Sequence, residues 1–336
     1  MDSSRLNYDA ILLVSFGGPE GMDDVMPFLE NVLKGRNVPH ERMLEVAKHY
    51  ELFGGVSPIN EQNRTLISAL KQELEANGPQ LPVYFGNRNW PPLLPDTLGT
   101  MRDDGIKKAL AFVTSAFSSY SSCRQYLENV AQAQDAVGPG APEVEKLRAF
   151  FNHPGFIQAN VEHIRKELAH FPGDPESVHI VFTAHSIPES MAQNCEYEVQ
   201  LREAGGIVAK ELAIKNWHLA FQSRSGSPMQ PWLGPDVCDF LKELEAQGIR
   251  DVVVAPIGFI SDHMEVLYDL DLQARQVCEH IGMNMRRAAT AGTHPAFVKM
   301  IRELILERVD PTTPRRFLGS HEPGGNVCRP GCCPLG

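Results

Sequence analysis

The chain has 336 residues, 43% of them hydrophobic and 22% charged, which is ordinary for a soluble globular enzyme of one large or two medium domains. Its net charge of −11 argues against a nucleic-acid partner, which wants a basic surface, and against broad attraction to anionic lipid. No apolar run reaches the roughly 18–20 residues of a membrane span, and Met1–Asp9 lacks a basic stretch leading into an apolar one, so neither a span nor a signal peptide is expected and the expected location is cytoplasmic.

In chain order, Tyr8–Phe16 predicts a buried strand ended by Gly17–Gly18–Pro19. Met22–Leu33, Glu41–Tyr50 and Asn60–Ala76 predict helices, with a Gly54–Gly55–Val56–Ser57–Pro58 loop between the last two. Pro82–Gly86 and Lys107–Ser115 predict strands, Leu98–Asp104 and Ser121–Ala131 helices. Helix Ile157–His170 is followed by Phe171–Ser177, the best linker candidate. Strands Val178–Ala184, Trp217–Phe221, Arg250–Pro256 and Asn284–Ala288 then alternate with helices Glu198–Asn216 (interrupted at Gly205–Gly206), Pro235–Gln247, Asp262–His280 and Pro295–Arg308. From Asp310 on there is no period.

Alternation of this kind predicts parallel sheets covered by helices. Three segments also recur in the same order. Ala10–Glu20 reads like Val178–Glu189, Leu81–Asn89 like Trp217–Ser223–Arg224–Ser225, and Lys107–Ser119 like Arg250–Asp262. The expected fold is therefore α/β: two similar Rossmann-like domains, each a parallel four-stranded sheet, with the active-site cleft between them. The expected divisions are residues 1–172, residues 173–309 carrying the metal-site pair, and a Cys-rich tail, 310–336.

The strand ends carry the chemistry. His185 closes an apolar strand just before Ser186–Ile187–Pro188, and Glu265 follows another in Ser261–Asp262–His263–Met264–Glu265. A hydrogen-bonded interior histidine and an Asp262-to-Glu265 capping box are the competing structural readings. As function, the two face each other across the cleft and handle a metal ion and protons. Glu265, Asp269 and Gln273 share a helix face, making Asp269 a candidate relay, and His263 is a candidate orienting partner. Ser57 could bind a carboxylate; Arg88, Arg124 and Arg224, at strand-to-helix junctions, could do the same, and Tyr126 could reach a planar acidic ligand. There is no GxGxxG and no P-loop, so nothing points to a nucleotide.

Seven cysteines include three crowded into Cys328–Arg329–Pro330–Gly331–Cys332–Cys333. Zinc and iron–sulfur clusters usually take four thiolates, so a fourth ligand must come from Cys123, Cys195 or an external group; Cys195, in a loop, is the slightly favoured one. Cys238 and Cys278 read as core.

These residues resemble the ferrochelatases, which insert Fe²⁺ into a porphyrin. The resemblance rests on Ala184–Pro188, Gly258–Asp271, Leu13–Pro19, Tyr50–Asn60 and Val83–Trp90, and runs from about Tyr8 to Arg308. It is nearest the actinobacterial type acting on coproporphyrin III, with protoporphyrin IX as the alternative. It implies His185 and Glu265 as the metal pair, Ser57 and Tyr126 as porphyrin contacts, ferrous iron as substrate, and a possible [2Fe–2S] cluster on the tail. Phe16 stands where some bacterial members carry a tyrosine iron ligand, and Ala159 stands near the internal cluster cysteine of animal-type members. Other classes to separate are a cobalt or nickel tetrapyrrole chelatase and a two-domain ligand-binding protein without chemistry. The iron donor and the next pathway enzyme leave no mark in the sequence.

Overall fold

A computed structural model describes residues 7–35, 38–173, 175–225, 229–328 and 331–335. Residues 1–6, read for a leader, Asp174 of the linker, and Arg329 and Pro330 between the tail cysteines lie outside the described residues. The elements run β1 (Ala10–Ser15), α1 (Met22–Leu33), α2 (His40–Glu51), α3 (Ile59–Asn77), β2 (Val83–Asn87), α4 (Leu94–Asp103), β3 (Lys108–Val113), α5 (Gln125–Val137), β4 (Glu143–Lys146) and α6 (Pro154–Leu168). They continue with β5 (His179–His185), α7 (Glu189–Ala192), α8 (Tyr197–Glu211), β6 (Trp217–Gln222), α9 (Val237–Ala246), β7 (Asp251–Ala255), α10 (Met264–Val266), α11 (Arg275–Ile281), β8 (Asn284–Arg287) and α12 (Pro295–Val309).

Two all-parallel sheets form, ordered β2-β1-β3-β4 and β6-β5-β7-β8. The two orders are the same, as the repeated segments require. Successive strand residues face opposite sides, which divides the core. Ala10, Leu12 and Val14 of β1 pack on Leu94, Leu98 and Val130 of α4 and α5. Ile11 and Leu13 belong instead to an apolar cluster that includes Leu70 of α3, Ile164 of α6 and Ile301 of α12, and reaches Phe182 of β5 and Val208 of α8. Helices α3, α6, α8 and α12 thus contribute to a layer shared by both sheets. On the far side of the second sheet, Val181 and Val254 pack on Leu241 of α9 and Leu270 and Cys278 of the segment after α10.

The differences from expectation are local. Strand β4 was not foreseen: Glu-Val-Glu-Lys is too polar to read as a buried strand, and it pairs only along the sheet edge with β3. Helix α8 runs through Gly205–Gly206 without interruption. These glycines serve close packing, since a Cβ on Gly205 would lie 3.0 Å from a Phe182 ring carbon. The helix expected over 262–280 changes type: Leu267–Ala274 is a π-segment, with wider turns closed by i→i+5 hydrogen bonds. Tyr120–Arg124, after β3, is a second π-segment at the equivalent junction of the first half.

Candidate active site

Strand β5 ends on His185, whose chain is fixed on both sides. Tyr197 donates its hydroxyl to the His185 carbonyl at 3.1 Å, and the Ser186 N–H donates to Gln222 O at 2.8 Å. His185 Nδ1 lies 2.5 Å from Ser186 O, so Nδ1 carries a proton and Nε2 is turned to the cleft. There Nε2 lies 3.5 Å from Glu265 Oε1.

Glu265 leaves the first turn of α10, and the competing capping-box reading does not hold: no such box forms. His263 is the N-cap, its Nδ1 accepting the Glu265 N–H at 3.3 Å. Asp262 pairs instead with Arg287 at 3.1 Å. The Glu265 carboxylate is thereby left for the cleft, between His185 and His263, whose Nδ1 is 3.6 Å from Oε2.

Burial pushes the His185 imidazole down, but the Glu265 carboxylate and the Ser186 carbonyl outweigh it and raise it to about 9. Burial pushes Glu265 up, yet His185 and His263 pull it down to about 2. The two side chains are 32% and 46% exposed, so both open onto the cleft, and each favours the charged form of the other. Burial keeps His263 below the usual histidine value, as suits an N-cap acceptor.

Asp269 sits in the π-segment. Its carboxylate takes a short hydrogen bond from Ser223 and a longer one, 3.3 Å, from the Gln222 amide. Burial, helped by the Glu265 charge, pushes it up to about 7 against those hydrogen bonds. Gln222 also donates to Glu265 O at 3.2 Å, and Ser223 holds a left-handed φ of 62°. Gln222, Ser223 and Tyr197 were not singled out from the sequence. The Gln222–Ser223–Arg224 junction was noticed only for its arginine.

The first half faces this wall with α2 and α3. His49 stacks on Tyr268 with centroids 3.7 Å apart, and Gln62 Oε1 accepts the Asp262 N–H at 2.8 Å. Tyr50, raised by burial and then by Glu265, packs on Phe28 at 5.9 Å; Phe28 also meets Phe16 and Trp90, each at 6.2 Å. Phe16 is thus part of an aromatic wall.

The remaining candidates divide. Arg88 lies over the Tyr126 ring at 4.5 Å and the Phe16 ring at 5.5 Å, and donates to Asn129 at 2.6 Å. Tyr126 is buried beneath it, and Ser57 is buried against Gly18. Arg124 pairs with Glu128 at 2.9 Å, and exposed Arg224 donates to Gln230 O at 3.0 Å. All seven cysteines are free. Cys123, buried in the first π-segment, lies beside Cys328, and Cys332 beside Cys333, close enough to shift each other's titration; Lys146 and Arg124 bring positive charge to these thiols. The Cys328 contact first, and then Lys146, holds Cys123 down to about 6 despite burial. Cys195 donates to Ala192 O at 3.7 Å and lies within electrostatic reach of Cys333. Among the described residues no three His, Cys, Asp or Glu side chains converge as a metal cage. The cleft has a pair, and the tail thiols lie within electrostatic reach of one another and of Cys123 and Cys195.

The Ferrochelatase family model matches residues 8–309, taking in both sheets and the His185–Glu265 pair. This chain belongs to the ferrochelatase family. It inserts Fe²⁺ into a porphyrin in haem biosynthesis. A ferrochelatase of Rhodopirellula baltica is 57% identical over 327 residues, 97% of this chain and 93% of the relative. A coproporphyrin III ferrochelatase of Streptomyces coelicolor is 48% identical over 350 residues, with 97% and 93% covered. The fold is like that of SirB from Bacillus subtilis with Fe3+, at TM-score 0.57 and 12% identity over 88% of this chain and 95% of that one. The ferrochelatase match removes the reading of a ligand-binding protein without chemistry. Among the described residues no helix is long and apolar enough to cross a membrane.

Proposed function

We propose that this ferrochelatase acts on coproporphyrin III in the cytoplasm, with His185 and Glu265 as the metal-site pair. The observation that carries the site is the 3.5 Å approach of the two at the carboxyl ends of β5 and β7. Ferrous iron competes with a proton for His185 Nε2 and the carboxylate, so metal binding releases that proton. Nε2 cannot hold the ion and a proton together, so the imidazole takes up one pyrrole proton only as the ion leaves it for the porphyrin, and the Asp269 carboxylate, on the same wall, takes the other and passes it toward Ser223 and solvent. A carboxylate and one imidazole hold the ion without the closed cage that would retain it. The aromatic wall of Phe16, Phe28, Tyr50 and Trp90 suits a flat macrocycle. Arg88, Arg124 and Arg224 suit its acidic edge, with Ser57 and Tyr126, both buried, beside them.

Coproporphyrin III is favoured by the name of the Streptomyces relative and by these cations, since four propionates need more of them than two. Side-by-side turnover with both porphyrins is expected to favour coproporphyrin III; equal or faster turnover of protoporphyrin IX would overturn this. His185→Ala is expected to keep porphyrin binding and to lose about 10²–10⁴-fold in turnover.

We also infer that Cys328, Cys332 and Cys333 with Cys123 hold a [2Fe–2S] cluster, Cys195 being the alternative fourth ligand. Soft thiols beside two cations suit a dianionic cluster. Such a cluster supplies one-electron chemistry when bound.

A further inference from the structure

Helix α8 makes three polar contacts at successive turns along one side, each to a different part of the machinery. Tyr197, 4% exposed, donates to the His185 carbonyl at 3.1 Å. Gln200, 3% exposed, accepts the Ser118 N–H at 2.8 Å and returns its amide to Ser118 Oγ at 3.2 Å. Ser118 lies two residues before the π-segment that carries Cys123. Glu203 accepts the N–H of Ser320 at 2.6 Å and of His321 at 3.3 Å, and faces His321 Nδ1 at 3.3 Å.

The tail is held there from the other side as well. Asn152 donates to His321 O at 2.7 Å and accepts the Leu318 N–H at 2.9 Å. Gly319 has a φ of 80°, and a Cβ on it would lie 2.0 Å from Glu203 Oε1, so only glycine lets the tail approach the helix. Helix α8 in turn lies tight on β5 through Gly205 and Phe182. A packed helix moves as a unit, so these contacts are not independent.

We propose that α8 couples the docked C-terminal segment to the metal site, with Glu203, Gln200 and Tyr197 as positioning residues for His185. The proposal rests on the reading of His185 as a metal-site residue. Release of the tail frees Glu203, lets the helix shift on β5, and moves the carbonyl and ring of His185.

The test uses the full chain. Glu203→Ala is expected to lower kcat about tenfold or more, on the scale of a small misplacement of an acting group, with the porphyrin KM within about twofold. Glu203→Gln, whose Oε1 still accepts both N–H groups, restores kcat. With ¹⁵N-histidine labelling, the His185 ring signals, assigned by their loss in His185→Ala, move in Glu203→Ala and return in Glu203→Gln. Glu203→Ala and Tyr197→Phe together lose no more than the worse single variant. Gly319→Ala, which pushes on the contact from the tail side, gives the same kinetic pattern if Glu203→Ala does not fold. His185→Ala inactive with Glu203→Ala or Gly319→Ala at wild-type kcat would sink the coupling alone. His185→Ala with full turnover would sink the reading of the site and the coupling with it.

Discussion

His49 lies flat on Tyr268, with ring centroids 3.7 Å apart and planes 11° from parallel. The end of α2 is thereby fastened to the π-segment that carries Asp269. Tyr268→Ala is expected to reduce stability by about 0.5–1.5 kcal/mol, the usual worth of an aromatic pair beyond its buried area. Tyr268→Phe keeps the ring and is expected to unfold at the same urea midpoint as wild type. Equal midpoints for all three proteins would show that the stack contributes nothing.

Gly258 packs against the end of β5 just before His185. A Cβ there would lie 2.5 Å from the Ala184 Cβ and 2.6 Å from its Cα. Ala184 precedes His185, so the added methyl pushes the strand that carries the imidazole. Gly258→Ala is expected to lower stability by about 1–3 kcal/mol and to reduce turnover, read by denaturation and by iron insertion. Retention of both would mean that β5 and β7 can spread freely.

Acid stability has two named contributors. Lys108, at 2.5 Å from Glu145, holds that carboxyl down to about 2 despite burial, with help from Tyr8 and Arg308. A folded value below the unfolded one gives a contribution present above about pH 4.5. It is lost as pH falls toward 2. Burial first, then Arg148, pushes His153 down to about 3. Neutral in the fold, it destabilises as pH falls from about 6.5, because the unfolded chain binds the proton more readily. The stability gap between wild type and Glu145→Gln should therefore shrink below pH 4.5. Replacing His153 with Gln should flatten the fall between about pH 6.5 and 3. Parallel pH curves for all three proteins would refute both assignments.

The visible spectrum tests the thiols. Red-brown absorption is expected from the purified protein, lost in Cys123→Ser, Cys328→Ser, Cys332→Ser and Cys333→Ser but kept in Cys195→Ser. Loss in Cys195→Ser with retention in Cys123→Ser would exchange the fourth ligand, and a colourless zinc protein would remove the cluster.

The paired sheets were legible because the buried β-branched runs recur in order and each ends in a turn signal. The approach of His185 and Glu265 was legible for a related reason: both follow central strands, whose carboxyl ends converge on one edge. Polar β4 offered a single apolar residue, Val144, too little to read as a buried strand. The π-segments were invisible because their apolar spacing passes for that of an α-helix. Helix capping by imidazole was also hidden. His153 and His294 each precede a proline and accept an N–H at 3.2 Å, from Gly155 and Ala296. His-Pro-x-Phe at both sites is a further repeat that could have been found. Tyr197 and Gln200 carried no signal, since their partners lie elsewhere along the chain.

A π-segment follows β3, and another lies beyond α10 at the matching junction of the second half. Such a turn holds a residue more than an α-turn, so removing one residue would let the helix close normally and rotate its later turns by about 100°. The position of Arg124 and Tyr126 relative to Arg88, and of Arg275 relative to the cleft, is therefore set by a count of residues. Single-residue deletions here, harmless in most surface loops, would re-aim an entire helix while leaving the side chains of His185 and Glu265 in place.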